Sequence, residues 1–331
     1  MTATGPDVMS GAHACAVAVS DEHRWEITSA FVAAGLVRGE RVVYFDDGTV
    51  DFVLGRLADD RVPVAGPLAD GQLFIISVDD TRALMRTPVS YVQEVLVNAI
   101  DESLARGYTG MRMTGQLSYA LNRPGGVALY EYCGGLDMVL EGRPARMLCV
   151  FDPKRFSDDD IERLRRQHRE EFIATAVYDD ALLRITRTGP SQARLAGEVD
   201  HSNRPVIARL LENILDDSLR SHSAPTDITL NLATLRFLDV AGAVSLVHAA
   251  EQFPSTHRLV LSEVRPRVLR VLDRCGAPFA AQLVVASRPD FDSADMSEVD
   301  TSPADVSPAD TSPADVSPAD VSEADMSEAA S

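Results

Sequence analysis

The chain has 331 residues, 45% of them hydrophobic, and carries a formal net charge of −19 from 31 basic and 50 acidic side chains. Twelve acidic residues and no basic ones lie from Asp290 onward, so this stretch supplies −12 of the charge and leaves −7 for the rest. That balance argues against nucleic acid as the main partner, and the length predicts two domains and a tail rather than one domain.

No apolar run reaches the length of a bilayer span, and the start MTATGPDVMSGAHA has neither the basic nor the apolar region of a signal peptide. A cytoplasmic protein is expected, with no membrane partner. The four cysteines, Cys15, Cys133, Cys149 and Cys275, form no C-x-x-C pair, so neither a metal site nor a disulfide framework is encoded locally. Cys133 and Cys149 have no evident cation beside them in sequence and read as small hydrophobes.

Residues 1 to 11 are small and polar and read as disordered. His13 to Val19 is a short apolar strand, after which Ser20 caps a helix with Trp25, Thr28, Phe31, Val32 and Leu36 on one face. Arg41 to Phe45 reads as a second strand, Asp46-Asp47-Gly48 as a turn, Val50 to Leu57 as a helix and Leu73 to Val78 as a third strand. Pro88 opens a long helix with the stripe Val92, Val95, Leu96, Ala99, Ile100 and Leu104, closed by Gly107. Met111 to Thr114 is a strand, Gly126 to Leu140 a helix and Met147 to Phe151 a strand. Ser157 with Asp160 then starts a helix that is expected to run through ERLRRQHREEF. Strands alternating with helices predict a mainly parallel sheet covered on both faces.

The phrases GLVRGERVVYF, GQLFIIS, ARGYTGMRMTGQLSYAL, YEYCGGL and MLCVFDPKRFS, in that order, resemble the MEDS domain, a sensory module of methanogen and methylotroph regulators related to the RecA and circadian-clock ATPase fold. The resemblance covers residues 12–173. It departs at Gln116, where the family has an acidic residue, and at Tyr119, where it has tryptophan. It implies a small-molecule ligand at the strand ends, with His13, Arg112, Gln116, Tyr119 and Glu131 as candidates. Each of them singly also has an ordinary structural role open to it.

A RecA-type nucleotide site needs G-x-x-x-x-G-K-[ST] after the first strand, so that backbone N–H groups and a lysine cradle phosphate. The corresponding segment VAVSDEHRWEITSAF has no glycine and no lysine, and brings in Asp21, Glu22 and Glu26. The domain is therefore expected to be RecA-like but without a P-loop, not an enzyme, and without catalytic residue, metal or cofactor.

From Ala174 to Asp180 the pattern weakens, and a smaller α/β domain is placed at 181–287. Its elements are strands near Leu182 to Arg187 and Gln192 to Ala196, a helix with Val206, Ile207, Leu210, Leu211, Ile214 and Leu215 on one face, and a central strand and helix in TDITLNLATLRFLDVAGAVSLVHAA. A strand at Arg258 to Leu261, a helix at Pro266 to Cys275 and a strand at Gln282 to Val285 complete it. In the central stretch Ile228, Leu230 and Leu232 alternate with polar neighbours. Val240, Ala243, Val244 and Val247 then recur at helical spacing after Asp239 as N-cap.

The runs NLATLRFLDVAGAVSL and LAGEVDHSNRPVIARLL resemble the STAS domain of anti-sigma-factor antagonists, in which the strand ends in Asp-Ser-Ser/Thr-Gly and the second hydroxyl is phosphorylated. Asp239 and Gly242 are kept, while Val240 and Ala241 stand where the hydroxyls would be. The resemblance implies a docking face for an anti-sigma factor of serine-kinase type, made of Asp239, Val240, Ala241, Gly242 and the loop residues Glu198, Asp200 and Asn203. It further implies partner switching and control of transcription, but without a phosphoacceptor at Ala241. A plain structural reading stands beside it, in which Asp200, Ser202 or Asn203 simply caps the helix. Two other functions remain open: a non-switching STAS scaffold in a larger complex, and a RecA-type nucleotide-binding protein.

Residues 288–331 repeat SPADV or SPADT from Ser302, with a proline in most units, and read as a disordered acidic tail. Because VSDEHRWEITSAF replaces the phosphate loop, purified protein is expected to show no ATPase activity above background and no magnesium-dependent ATP binding. Turnover that is lost on substitution within residues 12–173 would overturn this expectation.

Overall fold

The computed structural model describes residues 12–45, 48–116, 129–172, 175–220 and 225–287, with backbone alone at 129–131. The expected disorder of residues 1 to 11, the turn at Asp46 and Asp47, and the acidic repeat tail lie outside the described residues.

The first domain alternates strand and helix as its hydrophobic pattern requires. Its elements in order are β1 (His13–Val17), α1 (Asp21–Val37), β2 (Arg41–Phe45), α2 (Val50–Asp59), α3 (Ala65–Ala69), β3 (Leu73–Ile76), α4 (Val78–Met85) and α5 (Val89–Ala105). They continue with β4 (Met111–Gln116), α6 (Leu129–Leu140), β5 (Ala145–Phe151), α7 (Asp158–Gln167) and β6 (Glu170–Glu171). The strands form a six-stranded sheet in the order β3-β2-β4-β5-β1-β6, every pair parallel. Helices on both faces explain why β1, β4 and β5 are buried along nearly their whole length rather than at alternate residues, polar side chains such as Arg112 and Thr114 included. Ser20 caps α1 by accepting from His23 N, and Ser157 caps α7 by accepting from Asp160 N, as the sequence signals require.

Two features depart from the sequence reading of this domain. The short helices α3 and α4 have too few turns to show a periodic stripe. Helix α7 ends at Gln167, not in the charged run beyond it, because His168 is extended (φ −95°, ψ 137°) and the chain then pairs with β1 as an edge strand.

The second domain comprises β7 (Tyr178–Asp179), β8 (Leu183–Gly189), β9 (Gln192–Val199), α8 (Arg204–Arg220), β10 (Asp227–Asn231), β11 (Leu235–Leu238) and α9 (Val240–Glu251). It is completed by β12 (Arg258–Val264), α10 (Pro266–Arg274), a short 3-10 turn at Ala277–Phe279 and β13 (Leu283–Ser287). The sheet runs β13-β12-β10-β9-β8-β7, antiparallel at β7/β8 and β8/β9 and parallel elsewhere, with β11 also on β9. Its core gathers Leu195, Ile207, Ile214, Ile228, Leu230 and Leu246, among others, from the strands and from α8 and α9.

The central strand read from Thr226 onward is in fact two. Asn231 Oδ1 accepts from Ala233 N at 2.9 Å, which turns the chain, and β11 then pairs with the second half of β9. Gly197 is held from both sides here, donating to the Thr234 carbonyl at 3.0 Å just before β11 and pairing with Leu183 of β8. It has φ +104°, and a Cβ there would lie 2.0 Å from the Leu182 carbonyl oxygen. The segment 174–180, where the pattern weakens, contains β7 and so already contributes to the second sheet.

An acidic face of the first domain meets arginines of the second. Glu22, with 4% of its surface exposed, accepts from Arg56 at 3.2 and 3.0 Å and also from Arg236 of β11. Glu26 accepts from Arg184 at 2.6 Å, Asp60 from Arg194 at 2.5 Å, and Asp59 pairs with Arg265 at 2.5 Å. Arg61 and Glu263, the two non-glycine residues with left-handed backbone (φ 64° and 59°) among the described ones, pair with each other across the same boundary.

Breaking one partner of a buried ion pair leaves the other charge desolvated and unmatched, which costs about 3 kcal/mol or more. Glu22→Gln is therefore expected to lower stability by about that amount, read as a lower urea midpoint. Arg166→Ala, which breaks an exposed pair with Glu162, is expected to leave the midpoint nearly unchanged. Equal midpoints for the two variants would show that the Glu22 pairs contribute nothing.

Candidate functional site

The end of β9 and the start of α9 lie side by side. Asp239 accepts from Gly242 N through Oδ1 at 2.6 Å, and its own N–H donates to the Val199 carbonyl at 3.1 Å. Its other carboxylate oxygen is 3.5 Å from Arg204 at the start of α8. A Cβ at Gly242 would lie 2.9 Å from Asp239 Oδ1 and 3.1 Å from Val199, so only glycine leaves room for this cap. The structure thus brings the 198–203 loop and the 239–242 turn together.

Their side chains differ in what they offer. Val240 is 66% exposed, Ala241 is exposed, and Phe237 beside them is 49% exposed, forming an apolar patch around a turn without a hydroxyl. Asn203 is fully buried: Oδ1 accepts from Asp200 N at 3.0 Å and Nδ2 donates to the Glu198 carbonyl at 3.0 Å, which clamps the loop. Asp200 accepts from the Ser202 backbone and hydroxyl at 2.9 and 2.6 Å. The Ser202 hydroxyl is the largest influence holding its carboxyl below the usual range.

Among the described residues, the three implied as sensory, His13, Arg112 and Gln116, do not converge. Arg112 of β4 is completely buried, passes α1 at Gly35, and donates to Glu40 and, at 3.2 Å, to the Phe31 carbonyl. Gln116, at the end of β4, accepts from Arg24. It lines a cleft of about 230 Å³ with Ser20, Asp21, Asp152, Lys154 and Arg155 at the carboxyl ends of the strands. Tyr119 lies outside the described residues, and so does the side chain of Glu131.

His13, at the other end of β1, joins Cys133 and Cys149, which in sequence read as small hydrophobes. Its Nδ1 is 2.8 Å from Asp137 and its Nε2 3.2 Å from Cys149 Sγ. The His168 ring stands edge-on to it with centroids 4.4 Å apart, and Cys133 of α6 completes a buried group of four. Burial, followed by the charge of His168, lowers the His13 pKa to about 4 against the pull of Asp137. The hydrogen bond with Cys149 pulls the Cys133 thiol down to about 6, while burial pushes Cys149 up. Burial lowers the His168 pKa, yet the nearby Cys133 and Cys15 thiols raise it overall to about 10, although Nε2 makes no hydrogen bond of regular geometry.

A second cavity, of about 580 Å³, lies where β1 and the start of α1 face β7 and β8, and is lined by residues including Val17, His23, Phe172, Tyr178 and Arg184. His23 Nδ1 accepts from Val19 N at 3.3 Å. Burial and then the charge of Arg184 lower its pKa to about 4, against Asp179 and Glu26.

Residues 12–169 match the family model of the MEDS domain, the methanogen/methylotroph, DcmR sensory domain. Residues 185–284 match the STAS domain. The protein therefore carries a MEDS domain followed by a STAS domain. No curated protein matches the chain. Among solved structures, the flagellar accessory protein FlaH from Methanocaldococcus jannaschii is similar at 12% identity and a TM-score of 0.42, over 56% of this chain and 77% of that one. No helix among the described residues is long and apolar enough to cross a membrane.

Burial and then Arg184 keep His23 neutral in the folded protein down to about pH 4, whereas in the unfolded chain it protonates near 6.5. The unfolded state thus binds more protons between about pH 6.5 and 4, so the contribution is complete above 6.5 and lost as pH falls toward 4. Denaturation of wild type and His23→Gln is expected to give curves of stability against pH that converge toward the acid end of this window. A constant offset would show that His23 does not titrate there.

Proposed function

We propose that the protein is a non-enzymatic regulator in which the sensory domain sets the availability of the STAS docking turn to an anti-sigma factor of serine-kinase type, and thereby controls a sigma factor. One observation carries this reading. Arg236, on the strand that ends in the Asp239 turn, is held by the buried Glu22 of the sensory domain. A ligand that shifts the start of α1 moves a side chain three residues from the docking turn.

Asp239, Val240, Ala241 and Gly242 form the docking surface, framed by Glu198 and Asp200, while Asn203 holds the loop in shape. Without a hydroxyl at Ala241, a partner kinase cannot release itself by adding the −1.5 to −2 charges of a phosphate at that position. Binding is then constitutive with respect to ATP, and control passes to the sensory domain.

Capture of partners from cell extract, read for a serine kinase of anti-sigma type, tests the partner. With that kinase and ATP, wild type is expected to stay bound and to carry no phosphate between Arg236 and His248, whereas Ala241→Ser becomes phosphorylated and is released. Ala241→Asp is expected to weaken binding with or without ATP. Phosphate on Ser245 that releases the wild type would defeat the reading.

A further inference from the structure

Two histidines and two cysteines, far apart in sequence, meet in the first domain where water is excluded. His13 opens β1, Cys149 lies in the neighbouring β5, Cys133 is in α6, and His168 follows α7. They are 5%, 0%, 0% and 7% exposed, and their donor atoms all lie within 4.8 Å of one another. In a tetrahedral site, metal–sulfur distances of about 2.3 Å and metal–nitrogen distances of about 2.0 to 2.1 Å place donors about 3.3 to 3.8 Å apart. The widest pair thus needs to close by about 1 Å, within the reach of small rotamer changes.

The surroundings orient both rings for this task. Nδ1 of His13 is bonded to the Asp137 carboxylate at 2.8 Å, and Nδ1 of His168 to the Leu164 carbonyl at 2.7 Å. Each outer partner occupies Nδ1, so that the neutral ring carries its lone pair on Nε2 toward the thiols, the arrangement that metal-bound histidines use. His168 Nε2 is buried without a hydrogen bond of regular geometry, a cost that ligation would remove.

We propose that His13, Cys133, Cys149 and His168 form a closed, four-coordinate site for a zinc-class divalent ion that ties α6 and the end of α7 to the central strands β1 and β5. Nitrogen and sulfur donors reject magnesium and calcium, which take oxygen ligands. Four protein ligands leave no open coordination position, so the ion is structural rather than catalytic. This assignment is independent of the STAS partner.

The test uses the full chain, reduced and stripped with a chelator. It is expected to bind one equivalent of Zn²⁺ or Co²⁺, and the cobalt form to show the ligand-field and thiolate charge-transfer bands of a tetrahedral S2N2 site. Zinc is expected to raise the thermal midpoint of the stripped protein. Cys133→Ser and Cys149→Ser should lose the charge-transfer bands in part or whole, while Cys275→Ser, in the second domain, keeps them. Asp137→Asn keeps the ligands and is expected to bind about 10- to 100-fold more weakly, with the same spectrum. No uptake by reduced wild type would overturn the assignment whatever the variants do. So would one-equivalent binding undiminished by both serine substitutions, or a Cys133–Cys149 disulfide in protein isolated anaerobically under reducing conditions.

Discussion

Glu22 is a carboxylate withdrawn from water and held between two guanidinium groups, Arg56 of its own domain and Arg236 of the next. A buried charge of this kind is tolerated only while its partners stay in place, so the geometry on both sides of the domain boundary is tied to it. Around it Glu26, Asp59 and Asp60 meet Arg184, Arg265 and Arg194. Complementary charge of this density fixes register and orientation more than it adds net stability. Burial is the largest influence on Asp60 and pushes its carboxyl up, against Arg194 and Ser29, so even here the pairing works against desolvation.

The position of this contact gives it meaning. In a P-loop protein the segment after the first strand receives phosphate on glycines and a lysine. Here the same segment carries acidic side chains aimed at the STAS domain. The segment after β1 thus contacts the second domain, and the strand it grips leads within three residues to the Asp239 turn. The STAS turn itself keeps what is structural, the Asp239 cap and the glycine that makes room for it, and lacks the hydroxyl.

The buried His13 cluster lies at the amino end of β1, away from this boundary, on the face covered by α6 and α7. A core there could be filled with hydrophobes alone, yet it contains two imidazoles with outer hydrogen-bond partners and three thiols within reach. Polar groups so placed need an occupant or a pairing that compensates them.

Much of the fold was legible because it rests on local pattern. Apolar strands alternating with amphipathic helices, Ser20 and Ser157 as caps, and Asp239 at a helix start all follow from spacing and side-chain chemistry within a few residues, and the two family motifs are likewise contiguous. What the sequence could not decide depends on distance along the chain. After the Asn231 turn, β11 becomes a strand by pairing with the end of the distant β9 and not with its own neighbours. Arg112 looks like a ligand-binding residue at a strand, but folding buries it against Glu40 and Phe31. Cys133 and Cys149 have no cation beside them in sequence, and the rule that metal sites announce themselves by close cysteine spacing passes over them. Parallel pairing of β1 with β5 sets Cys15 against Cys149 and brings His13 within 3.2 Å of its sulfur, across 136 residues that no local period spans. Sequence by itself determined most of the elements and the motif turn, because those depend on neighbours. Only the tertiary structure decided which side chains share a site, because strand order is settled by the burial of whole faces rather than by any short run of residues.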